Sequence, residues 1–166
     1  MLTIGVDPGT ATTGYGLVRM TEEGELALVD YGAIATTPDQ DMPERLRRLH
    51  AALTEIVLLH RPDESAVEKL FFQRNVSTAL SVGQARGVAL LALAEQGVPV
   101  AEYSPMEVKQ AIVGYGSAAK RQVQQMVKVL LHMDNIPQPD DAADALAVAI
   151  CHLHSRGLRQ RAEVSG

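Results

Sequence analysis

The apolar residues change period near residue 41, and that change restricts the fold more than any other feature of the chain. Before it, short apolar stretches are separated by turn residues. Leu2–Asp7 is an apolar run that ends on an acid. The segment PGTATTG follows, then residues 15–20, a polar turn TEEGE and residues 26–34. Turn residues at both breaks predict a three-stranded antiparallel meander. After the change, Asp41 can cap a helix whose early Pro43 suits the first turn. Leu46, Leu49, Leu53 and Ile56 recur at helical spacing to about His60, where Arg61-Pro62-Asp63 breaks the pattern.

The remainder alternates. Residues 65–68 form a short strand that again ends on an acid. A long helix is expected over 75–96, with Ala79, Gly83 and Gly87 available for close packing and Gly97 as its stop. Residues 98–103 read as the fifth strand. Ser104-Pro105 opens a helix to about Val113. The loop GYGSAAK leads into a helix over 120–132, the segment MDNIPQPD is a loop, and the last helix spans about 141–155. The order predicts an α/β fold built on one mixed five-stranded sheet with helices on both faces. A chain of 166 residues suits one domain, expected over 1–156. Arg156, Arg159 and Arg161 fall in or beside a basic tail, 157–166, that is expected to fray.

Two function classes drop out early. No apolar run reaches the roughly 20 residues of a membrane span. The N-terminal MLTIGVD carries no basic leader, so no secretory signal is expected. One cysteine, Cys151, fits a reducing, cytoplasmic setting, and its apolar helical surroundings predict a buried, inert thiol. The net charge of −5 looks unsuited to nucleic acid, yet its distribution is uneven. Residues 1–68 carry 5 basic and 12 acidic side chains, whereas residues 69–128 carry 7 basic and 3 acidic. A local basic face can hold phosphates on an acidic molecule, although solvated helix faces would give the same count.

Four acids stand out by position. Asp7 ends the first strand and Glu68 the fourth. Asp141 and Asp144 are three apart on the last helix and so share a face. If strands one and four are parallel neighbours, Asp7 and Glu68 emerge at one sheet edge, where the last helix can bring the other two. Carboxylates so crowded repel and do not all ionise unaided. A hard divalent cation resolves that, because Mg²⁺ takes oxygen ligands and a substrate phosphate. Two such ions roughly 3.5–4 Å apart activate water and stabilise a leaving oxygen in phosphodiester hydrolysis. No HExxH, CxxC or His pair at ligand spacing offers zinc instead. His50, His60, His132, His152 and His154 are read as structural or surface residues. Other readings exist for the acids: Asp141 and Asp144 could cap their helix, and Asp7 could be a turn residue before Pro8-Gly9.

The segments GVDPGTATTGYG, AVEKLFF, QARGVALL, PMEVKQAIVGYGSAAKRQV and DDAADALAVAICH, in that order, resemble the RuvC crossover-junction endodeoxyribonucleases. The resemblance covers roughly residues 2–155. It implies a ribonuclease-H-like fold, a homodimer, dependence on Mg²⁺ with Mn²⁺ as a substitute, and paired symmetric cuts across a Holliday junction in recombination and DNA repair. It places the catalytic and metal-binding quartet on Asp7, Glu68, Asp141 and Asp144, and basic residues near the scissile phosphate on Lys109 and Lys120. An aromatic that acts on bases at the junction centre falls on Phe71, with Phe72 an anchor or second stacker. Stacking of that kind is worth about 1–3 kcal/mol per base. Arg74 and Arg121 complete the expected DNA-binding set. A branch-migration complex of RuvA and RuvB is the implied partner. The chain departs in Lys69, in its paired phenylalanines, and in Asp140 beside Asp141. The candidate dimer interface is the small-residue helix over 75–96; burial against its own sheet is the competing explanation.

Two rivals remain. GVDPGTATTG also resembles the first phosphate loop of actin-like ATPases and sugar kinases, but those need two such domains. The other is a non-catalytic four-way-junction-binding module of the same fold.

Overall fold

Leu2, Ile4 and Val6 alternate with Thr3, Gly5 and Asp7 along β1 (Leu2–Asp7), and alternation sends the two sets to opposite faces of a sheet. The computed structural model describes residues 1–70 and 76–164, with side chains as far as residue 157. After β1 come β2 (Thr12–Met20), β3 (Leu26–Ala35), α1 (Met42–His60), β4 (Glu64–Glu68) and α2 (Val76–Glu95). Then follow β5 (Val100–Tyr103), α3 (Pro105–Val113), α4 (Lys120–Leu130) and α5 (Asp140–Val164). The five strands lie in the order β3-β2-β1-β4-β5. β1 is antiparallel to β2 and parallel to β4, with Val6 opposite Val67. The sheet is therefore mixed, as the order of elements predicts.

Each face of the sheet has its own core. On one, Leu2, Ile4, Val6, Leu17 and Val67 meet Leu49, Leu53 and Val57 of α1 and Ala85, Ala89, Ala92 and Leu93 of α2. On the other, Val18 and Ala66 meet α3, α4 and the buried run of α5. Full burial of one Leu or Val side chain is worth about 1.5–3 kcal/mol, so these two clusters carry much of the fold. The helix ends are set locally. The Glu44 amide donates to Asp41 Oδ1 at 3.0 Å. The Glu107 amide donates to Ser104 Oγ at 3.2 Å while the Ser104 amide donates to Glu107 Oε2 at 2.7 Å, a reciprocal cap.

α5 lies directly on the backbone of the sheet. A Cβ at Gly5 would stand 2.0 Å from the Ala145 carbonyl oxygen, and one at Gly14 would stand 1.9 Å from that of Asp141. At Gly16 the obstacle is the Leu146 side chain at 2.7 Å. Glycine at these positions, facing Ala142, Ala145 and Ala149, lets helix and sheet approach more closely than side chains would allow.

Several boundaries differ from the expectations. β2 begins at Thr12, not at residue 15, because Thr12–Gly14 pair with β3 and Gly14 pairs with Asp7. Part of the Gly/Thr-rich segment is thus strand. β5 begins at Val100, since the Val98 amide is spent on the Leu93 carbonyl. α4 stops at Leu130, where the backbone reaches a positive φ at His132. α5 continues to Val164 rather than ending near residue 155. α2 packs through its alanines, whereas nothing lies within 4 Å of a Cβ at Gly87. It is also long and apolar enough in length and composition to cross a membrane, despite its interrupting polar residues; here its alanine face joins the sheet.

Gly14→Ala should lower stability by about 1–3 kcal/mol through overpacking. Gly157→Ala, in α5 where a Cβ meets nothing, should be neutral or raise stability by roughly 0.5–1 kcal/mol. Urea unfolding of both variants checks the contrast.

Candidate active site

Asp7 and Glu68 follow Val6 and Val67, which face each other in the parallel β1–β4 pair. Both therefore leave the sheet at the same edge and on the α5 face. The loop after Asp7 is held by Thr13 of β2 and by Thr36 just after β3. Thr13 Oγ1 donates to the Gly9 carbonyl at 2.7 Å, and Thr36 Oγ1 donates to the Thr10 carbonyl at 2.5 Å. The first turn of α5 sits over Gly14, beside Asp7, and brings Asp141 with it. Asp144 lies almost one turn further. Asp7, Glu68, Asp141 and Asp144 are all half-buried.

The four acids act on one another. Burial, then Glu68, Asp144 and Asp141 in turn, push the Asp7 carboxyl up from 3.8 to about 8. The side-chain hydrogen bond between Asp7 and Glu68 raises Asp7 and lowers Glu68. Glu68 is also raised, by burial and by Asp144, against the opposing pull of the Asp7 hydrogen bond, Lys120 and Lys109. Burial raises Asp144 as well, although Lys120 works against it. Two expected cations are thus electrically part of the cluster. Lys120 Nζ donates to Asp144 Oδ2 at 2.8 Å and lies 3.5 Å from Asp140 Oδ2. Burial lowers the Lys120 ammonium, but Asp144 and Asp140 together outweigh it and leave it raised. Lys109, half-buried on α3, lowers Glu68.

The register at the start of α5 follows from these effects. Asp141, not Asp140, is among the groups that raise Asp7, whereas Asp140 faces α4. Asp140 and Asp141 both occupy the first turn, so they also complement the helix dipole. As they stand, no three His, Cys, Asp or Glu side chains among the described residues form a set that could hold an ion. Asp7 is hydrogen-bonded to Glu68, and Asp144 is paired with Lys120. The donor set nevertheless suits a hard divalent cation. It is entirely carboxylate oxygen, and its repulsion is the penalty that such a charge removes.

Other candidates fall elsewhere. Arg121 is exposed on α4. Phe71, Phe72 and Arg74 lie outside the described residues. In the loop GYGSAAK, Gly114 ends α3 at φ 90°, and a Cβ at Gly116 would stand 2.5 Å from Met106 Cγ, so both glycines have local structural reasons. Lys69 Nζ lies 4.0 Å from Glu107 rather than in the cluster. Cys151 is buried, and burial pushes its thiol up to about 11, as suits an inert residue. His152 Nε2 lies 2.6 Å from Glu64 Oε2, and its Nδ1 lies 3.0 Å from the Tyr103 hydroxyl, a structural tie at the far end of β4.

Two contributions were not anticipated. Arg86 of α2 donates to the Glu68 carbonyl at 3.3 Å and pairs with Glu102, so it fixes the end of β4. Gln124 of α4 donates to Asp140 Oδ1 at 3.1 Å. Nothing in spacing along the chain announces either contact, since both depend on how separate helices cross.

The sheet order, the strand-end acids and the helix laid across them define a ribonuclease-H-like fold. The profile of the family described as crossover junction endodeoxyribonuclease RuvC matches residues 3–152. A crossover junction endodeoxyribonuclease RuvC of Chloroflexus aurantiacus is 56% identical over 161 residues, which is 97% of this chain and 98% of that one. The Thermus thermophilus RuvC structure superposes with a TM-score of 0.89 at 39% identity, covering 95% of this chain and 96% of the other. T. thermophilus RuvC in complex with a Holliday junction substrate gives 0.87 at 37% identity, with the same coverage. The chain belongs to the RuvC family of crossover junction endodeoxyribonucleases.

The raised acids set a pH dependence. Folded Asp7 keeps its proton up to about 8, whereas the unfolded residue releases it near 3.8. Between those values the native state binds the extra proton, so stability falls as pH rises. Metal-free protein should therefore unfold at lower urea at pH 8 than at pH 5. Asp7→Asn should show a smaller loss across the same interval.

Proposed function

We propose that the chain resolves Holliday junctions, as a structure-selective endonuclease that makes paired symmetric, divalent-metal-dependent cuts in recombination and repair. The observation that carries the chemistry is the gathering of four half-buried acids at one sheet edge, with Asp7 pushed up to about 8. Family membership and the junction-bound relative support the substrate. A binding module without catalysis would have no use for acids held together against their own repulsion, which disfavours that alternative.

Asp7, Glu68, Asp141 and Asp144 would hold Mg²⁺, or Mn²⁺ in its place, as two ions. Bound there, the metal supplies an activated water and charge stabilisation at the leaving oxygen. The chain's own part is positioning. Asp7 sits on the central strand and gives the site its fixed point. Glu68 is steadied through its carbonyl by Arg86. The backbone of Asp141 and Asp144 is fixed by the seating of α5. Lys109 and Lys120 place positive charge at the same edge, where a scissile phosphate needs it. Phe71 is the proposed base-stacking residue, with Phe72 an anchor or second stacker and Arg74 and Arg121 in contact with the DNA.

Two symmetric cuts call for two sites related by a twofold axis. Val76, Leu80 and Leu91 recur along one face of α2 and are 82%, 66% and 52% exposed. A row of large apolar side chains left in water marks a contact surface, and a second copy of the chain is the partner read here. A cytoplasmic setting and an association with RuvA and RuvB are part of the same reading.

The test uses a labelled four-way junction and a matched linear duplex with Mg²⁺, Mn²⁺ or EDTA. Paired nicks in the junction alone are expected, lost with EDTA and reduced by at least about 10²-fold in Asp7→Asn. Leu80→Glu should disrupt the dimer in sedimentation and uncouple the paired cuts. Tight binding to the junction without cleavage under either metal would replace this reading with the binding module.

A further inference from the structure

Asp140 has no place in the expected quartet and is exposed, yet its carboxylate meets two side chains of α4. α4 presents Lys120 and Gln124 four residues apart, and α5 presents Asp140 and Asp144 four residues apart, so two helix faces meet as paired rungs. Across them, Gln124 Nε2 donates to Asp140 Oδ1 at 3.1 Å, and Gln124 is only 9% exposed. That contact fixes the orientation of the Asp140 carboxylate. Its other oxygen, Oδ2, faces Lys120 Nζ at 3.5 Å, while the same ammonium donates to Asp144 Oδ2 at 2.8 Å. Lys120 therefore lies between two carboxylates, nearer to the one expected to bind metal.

That arrangement poses a conflict. A divalent cation and the Lys120 ammonium compete for Asp144, and like charge drives them apart. With Asp144 as its sole anchor, Lys120 would either block the cation or be expelled from the site. We propose that Asp140 is a positioning residue that retains Lys120 at the edge of the site when Asp144 turns to the metal, keeping the ammonium available to the phosphate. The inference rests on the metal-dependent reading above. Asp140 acts through Lys120 and touches neither metal nor substrate.

A double-mutant cycle separates this role from that of a nearby negative charge or helix cap. Mg²⁺ affinity of the free protein is measured by calorimetry for the parent, Asp140→Asn, Lys120→Met and the double variant. Asp140→Asn keeps the shape of the side chain and an acceptor for Gln124. It should weaken Mg²⁺ roughly five-fold where Lys120 is present and less than about two-fold in the Lys120→Met background. Junction cleavage at saturating Mg²⁺ should follow the same pattern, and Asp140→Glu should restore most of the loss. Gln124→Leu releases the Asp140 carboxylate without changing a charge, and should weaken Mg²⁺ in the same direction. Equal losses from Asp140→Asn in both backgrounds would overturn the proposal, as would an unchanged affinity. Failure of the parent chain to bind Mg²⁺ or Mn²⁺ would remove the metal reading itself, and this inference with it.

Discussion

The seating of α5 on the backbone of Gly5, Gly14 and Gly16 is the contact on which the rest of the structure depends. Side chains at Gly5 and Gly14 would overlap helix carbonyls at about 2 Å, so the helix could not lie where it does. Packed this closely, α5 becomes the middle layer between the sheet and α3 and α4, and its residues from Ala142 to Leu153 are buried apart from Asp144. A helix surrounded on all sides has little freedom to slide or rotate. Its first turn is thereby fixed over the ends of β1 and β4. The far end is tied independently, through His152 to Glu64 and Tyr103.

Rigid seating has an electrostatic consequence. Four acids arrive at one edge with no choice of separation, and the folded chain answers with the charges it owns. Asp7, hydrogen-bonded to Glu68, is pushed up to about 8 and so holds a proton through neutral pH; one ammonium, from Lys120, covers Asp144. Both are replaceable. A proton leaves as pH rises, and a lysine side chain swings on four rotatable bonds. The packing of the fold thus holds the carboxylates in place, while the groups that neutralise them are labile, as the proposed metal site requires.

Much of this is legible in the chain. An acid directly after an apolar strand marks the strand end, and two such strands in a mixed sheet bring Asp7 and Glu68 to one edge. Asp141 and Asp144 declare a shared helical face by spacing alone. What spacing does not reveal is contact between elements. Glycines that read as a turn after Asp7 turn out in part to be strand, because Gly14 must be bare where α5 crosses it. The roles of Asp140, Gln124 and Arg86 depend on how helices cross, and no residue pattern encodes a crossing. On α2 the small residues divide: Ala85, Ala89 and Ala92 are buried with the sheet, the competing explanation for them, while Gly87 faces open space and large apolar residues remain in water.

α5, seated on glycine, forces the carboxylates together. Carbon-detected titration of the Asp7 carboxyl in metal-free protein tests it most directly. Asp7 should titrate near 8 in the parent chain and move down in Gly14→Ala, where the helix cannot seat fully. A parent Asp7 that titrates near the ordinary 3.8 would contradict it, because the four acids would then not be sharing one crowded, half-buried site.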